Sequence, residues 1–178
     1  NWETGEQETY CAEEKQSFSP SELFAWQERQ KAIKRQREAE SARRHAEAAQ
    51  QAKTEWKAAY PCSPEHPYLR KKGITPLDGI RQNSNNALLV PVLDDSGAMQ
   101  SLQRIYPDGS KRFLVGGKVQ CGHFVIHGQQ EKPIAICEGL ATGASIHQAT
   151  GWTVYVAFSA NNLQAVVLSA RRKFPDSI

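Results

Sequence analysis

Hydrophobic and polar positions change rhythm three times along this chain. A helix start stands at Ser19-Pro20-Ser21-Glu22: a capping serine, proline at the first helical position, and glutamate three residues after the cap. From there to Ala59 no glycine or proline intervenes, and Ala, Gln, Glu, Lys and Arg dominate. About 40 residues at 1.5 Å each predict a helix of roughly 60 Å. Leu23, Phe24, Trp26 and Ile33 give it a short apolar patch, while Lys34 to Ser41 is polar apart from Ala39. Ala42, Ala46, Ala49, Ala52 and Trp56 then recur three and four apart. The heptad is weak for a coiled coil. The pattern predicts a mostly solvated helix whose ends dock and whose middle spans.

Three prolines between Tyr60 and Pro67 end that helix, and Tyr68 to Gly73 reads as a helical turn closed by its glycine. β-like segments follow at Ala87–Leu93, Met99–Tyr106, Lys111–Val115 and Gly122–His127, separated by Asp94-Asp-Ser-Gly97, Pro107-Asp-Gly-Ser110 and Gly116-Gly117. They predict an antiparallel meander of four strands. After Gln130 the rhythm changes again. Pro133–Cys137 is continuously apolar, as in a buried parallel strand; a helical stretch runs from Leu140 to Thr150, and Thr153–Phe158 is a second buried strand. Ser159 to Lys173 gives a second helix, and Pro175-Asp176 leads toward a third strand. Strand, helix, strand, helix, strand predicts a parallel α/β unit. The fold class expected is mixed α+β and α/β, in four stretches: an acidic lead (1–19), a long charged helix (20–59), a β-rich region (60–130) and an α/β unit (131–178).

Composition narrows the function classes. The 178 residues carry a formal charge of +3, and a mean hydropathy of −0.60 with no apolar run near 20 residues argues against a membrane span. The charge divides along the chain: five glutamates against Lys15 in 1–19, nine Lys/Arg against six Glu in 20–59, and twelve Lys/Arg against eight Asp/Glu in 60–178. Such excesses permit nucleic-acid contact without demonstrating it. The helix cations, Arg29 to Arg44, read first as a solvated face with pairs such as Glu40–Arg44. Cys11, Cys62, Cys121 and Cys137 have no CxxC spacing, so a reduced, cytoplasmic protein is expected, without disulfides or zinc. Cys62-x-x-x-His66 and Cys121-x-His123 fit no standard finger. The chain opens on Asn1 and its one methionine is Met99, so a piece of a longer protein is expected.

In a parallel α/β sheet, chemistry gathers at the carboxyl ends of the strands. Ile136-Cys-Glu-Gly139 sets a carboxylate there, followed by a glycine suited to a tight turn; Glu138 is the one acid between Lys132 and Phe174. Asn161 and Asn162 head the following helix, where one of them suits a cap. Arg104, Lys111 and Arg112 flank the tight turn of the meander.

These segments together resemble a known family. Leu102–Phe113, Gly122–Ile126, Cys137-Glu-Gly-Leu-Ala-Thr-Gly-Ala-Ser-Ile146 and Val156–Leu163 are similar to the Toprim domain, specifically to Toprim-containing DNA primases of phages and plasmids, often fused to helicases. The resemblance covers roughly Pro67 to Ile178. It implies a primase fragment that would join ribonucleotides on single-stranded DNA, with Mg²⁺ or Mn²⁺ held by hard carboxylate oxygens. Glu138 matches the family's glutamate, as metal ligand or acid/base. The family's Asp-x-Asp pair has no match up to Ile178, so this stretch alone is expected to be inert. Arg104, Lys111, Arg112, Asn161 and Asn162 are the residues implied to guide nucleic-acid and nucleotide phosphates. The alternatives are a Toprim-like module that binds nucleic acid or a replication partner without catalysis, and a Toprim nuclease.

Overall fold

The computed structural model describes residues 19–129 and 132–175. The acidic lead before Ser19 and the expected third strand beyond Pro175 lie outside the described residues. Two compact units are distinguished, residues 1–40 and 41–178. Helix α1 (Pro20–Ala58) begins in the first and ends in the second.

The start of α1 is the capping box that the sequence predicts. Glu22 Oε2 accepts from the Ser19 backbone N–H at 2.9 Å and from its hydroxyl at 2.7 Å, while Glu22 N–H reaches back to Ser19 Oγ at 3.4 Å. In the first unit Leu23, Phe24, Trp26 and Ile33 are all exposed. Among the described residues of that unit, α1 is the only element.

In the second unit the last turns of α1 lie on a five-stranded antiparallel sheet ordered β1 (Tyr60–Pro61), β2 (Arg81–Gln82), β3 (Leu88–Leu93), β4 (Met99–Ile105), β5 (Lys111–Phe113). The buried seam is Ala48, Ala52 and Ala59 against Leu89, Leu102 and Leu114, with Trp56 partly buried beside them. Ala42 and Ala46, expected in the seam, are exposed. The helix is rotated so that His45, Ala48, Ala52 and Trp56 form the inner face, and His45 Nδ1 lies 2.8 Å from the Gly116 carbonyl. Arg81 closes the far end: its guanidinium donates to the Trp56 carbonyl at 3.2 Å and stacks 3.9 Å from the Trp56 ring centre. Helix α2 (Pro67–Lys72) is the predicted turn, opened by His66, whose Nδ1 accepts from Tyr68 N–H, and closed by Gly73 in the left-handed region.

The fourth expected strand leaves the meander. β6 (Phe124–Ile126) joins β7 (Ile134–Cys137) and β8 (Thr153–Val156) in a second sheet ordered β6-β8-β7, antiparallel to β8, and the isolated Leu93–His123 bridge links its approach to β3. β7 and β8 pair in parallel, Cys137 opposite Val156, in a βαβ crossover; β8 is buried from Val154 to Val156, whereas in β7 Cys137 alone is buried and Ile134 to Ile136 are half-buried, because β7 lies at the edge of its sheet. Their connection is α3 (Leu140–Thr150), and α4 (Ala160–Lys173) follows β8. The fold is thus mixed α+β. Its main core joins both sheets, from Leu88, Val90 and Val92 to Phe124, Leu140, Ala144, Val154 and Val156.

Candidate functional site

Glu138 stands where β7 ends and α3 begins, and it is exposed. Gly139 is the N-cap of α3 in extended conformation and offers no side chain to the first turn, so the head of this 11-residue helix presents backbone N–H groups without a side-chain cap. The helix is seated tightly: a Cβ on Gly143 would lie 3.0 Å from Val156 Cγ2 and 3.1 Å from Cys137 Sγ.

A cleft of about 400 Å³ opens at this helix head, lined by Gly139, Ala141 and Thr142 of α3, by Lys71 and Lys72 of α2, and by Asp108, Gly109 and Lys111 of the β4–β5 hairpin, over Tyr68. Lys111 is central. Its ammonium would lie 3.9 Å from a Cβ on Gly139 and sits 5.9 Å from the Tyr68 ring centre. Partial burial and the charge of Lys72 lower its pKa, and Glu138 partly offsets them. Asp108 is committed to the hairpin, accepting from the Ser110 N–H at 2.8 Å and hydroxyl at 2.7 Å. Tyr68 is 1% exposed, and its hydroxyl has no hydrogen-bond partner among the described residues. Three cations and a helix head without a side-chain cap suit an anionic, oxygen-rich ligand.

The expected basic trio divides. Lys111 enters the cleft. Arg104 is held by Glu55 of α1, Nε to Oε1 at 2.8 Å with a second bond from Nη2 to Oε2, which holds the Glu55 carboxyl below its usual range. Arg112 is exposed on β5 opposite Arg104. The two asparagines also differ. Asn161 is exposed on the first turn of α4. Asn162 is 4% exposed: its Oδ1 accepts from Cys121 N–H at 2.7 Å, and its Nδ2 donates to the carbonyls of Gly122 at 2.7 Å and Ala157 at 2.9 Å. Its amide pins the approach to β6 onto the end of β8. Lys71 and Lys72 do not stand out in the sequence as site residues; the run Arg70-Lys-Lys72 before a helix-ending glycine is the one signal that marks them. Among the described residues no three His, Cys, Asp or Glu side chains come together as metal ligands. Glu138 alone does not make a Mg²⁺ site.

The chain is similar to two proteins of Escherichia coli named DNA primase TraC. It is 30% identical to one over 165 residues, 90% of this chain and 16% of that protein. It is 33% identical to the other over 115 residues, 62% of this chain and 8% of that protein. The chain therefore spans a small part of the length of these relatives, which support a primase-like relationship. No family model matches, and no solved structure matches. Among the described residues no helix is long and apolar enough to cross a membrane.

Proposed function

We propose that this chain is the phosphate-handling part of a DNA primase of the Toprim type, and that its lysine cleft holds the phosphates of a nucleotide or of single-stranded DNA beside Glu138. The observation that carries this reading is the convergence of Lys71, Lys72 and Lys111 on the uncapped head of α3. Cations fixed around backbone N–H groups neutralise phosphate charge with little reorganisation. Similarity to proteins named DNA primase supports the same reading. In a complete enzyme Glu138 would supply one carboxylate toward a Mg²⁺ or Mn²⁺ ion, and a helicase is a fitting partner for such an enzyme.

Calorimetric titration with ATP tests the cleft. Lys111→Gln should weaken binding about ten-fold, the effect of removing one charge-assisted hydrogen bond, whereas Arg43→Gln on the exposed face of α1 should leave it unchanged. Equal affinities for the native chain and Lys111→Gln would sink the reading. In a longer chain that makes primers, Glu138→Gln should lower synthesis at least about 100-fold.

A further inference from the structure

A second cleft of about 470 Å³ lies on the other side of the β4–β5 hairpin, between the end of α1, the β2–β3 turn and Tyr106. Its charge differs from that of the lysine cleft. No lysine lines it, and its one guanidinium, Arg104, is neutralised by Glu55, both side chains being about one-fifth exposed. A phosphate gains little there. What the cleft offers is flat surface and paired hydrogen-bonding groups. Tyr60, at the sheet edge, is 65% exposed, and Tyr106 forms another part of the wall. The ion pair sets a donor beside an acceptor, and Asn83 Nδ2 approaches Glu55 Oε1 at 3.5 Å, fixing the carboxylate further. Asn85 is exposed, with no side-chain hydrogen bond among the described residues.

We infer that this cleft takes an unpaired nucleobase of a single strand, stacked on Tyr60 or Tyr106 with its edge toward the Glu55–Arg104 pair and Asn85. Every base has a π-face, so tyrosine walls bind bases with little sequence preference, and the volume lies in the range of small-ligand sites. One hairpin serves both clefts: Tyr106 begins it and Lys111 ends it. The inference does not rest on the primase reading, because it concerns binding without synthesis.

The test uses the 178-residue chain and fluorescence anisotropy at low salt, comparing labelled dT15 with an abasic 15-mer of equal phosphate number. The intact oligonucleotide should bind roughly ten-fold tighter. Tyr60→Ala and Tyr106→Ala together should abolish that preference while leaving abasic binding unchanged, which also shows that the variant is folded; the double Phe variant should keep the preference. Lys111→Gln should weaken both oligonucleotides equally, so a failed lysine cleft and a failed base cleft give different patterns. Equal binding of dT15 and the abasic strand overturns the inference, as does a preference that survives the double alanine variant. Tyrosine-dependent binding of free thymidine as tight as that of dT15 would overturn the assignment to a strand.

Discussion

Asn162 and Asn161 are neighbours with unlike surroundings. Asn162→Ala would leave the Cys121 N–H and the Gly122 and Ala157 carbonyls short of a partner, and stability should fall by about 2–3 kcal/mol; Asn161→Ala should stay within about 0.5 kcal/mol. Urea unfolding of the two variants checks the contrast. The sequence marks both as head-of-helix residues, but two of the three partners of Asn162, Cys121 and Gly122, lie about forty positions earlier, beyond any local pattern. His123 gives a pH dependence. It is 2% exposed, and burial lowers its pKa from 6.5, with Lys173 adding and Asp95 and Asp94 opposing. The unfolded chain therefore takes up the proton more readily. Stability from this residue is fully present above pH 6.5 and declines as pH falls through the unfolded and then the folded pKa. Urea midpoints at pH 7.5 and 5.5 should differ in that direction, and His123→Phe should shrink the difference.

At the scale of elements, Gly143 sets how closely α3 approaches the second sheet. Alanine gains up to about 1 kcal/mol of helix propensity, but its Cβ meets Val156, Cys137 and Ile126 at 3.0–3.3 Å. Crowding of that kind costs about 1–3 kcal/mol, so Gly143→Ala should destabilise by about 1 kcal/mol in thermal or urea unfolding. Element types and ends are legible in the sequence: the Ser19–Glu22 box, the Gly73 stop and the apolar strands β7 and β8 all follow from local chemistry, although β7 is half-buried where its unbroken apolar run predicts full burial. The phase of α1 is not. Alanines at 42, 46, 48, 49, 52, 58 and 59 surround the helix, so composition allows several seams, and the leucines of β3 and β4 and Leu114 decide among them.

At the scale of the molecule, the partner of β6 is the illegible part. Alternation marks a strand but not its neighbour, and β6 pairs with β8, some thirty residues on, rather than with β5 just before it. The candidate site shares this property. Glu138 and Lys111 are visible singly, whereas the cleft exists because α2, the β4–β5 hairpin and α3 meet. If its lysines hold strand phosphates, replacing Lys71, Lys72 and Lys111 by Gln should reduce the slope of log affinity against log salt by about 2, roughly 0.7 for each phosphate no longer neutralised; anisotropy from about 25 to about 200 mM salt measures it. The crowding of Lys111 against Tyr68 and Lys72 has a further consequence, for reactivity. An amine with a lowered pKa carries more of its nucleophilic free-base form near neutrality. Amine-directed acylation at pH 8 should therefore mark Lys111, and a ligand in the cleft should protect it, so that peptide mapping reports occupancy directly.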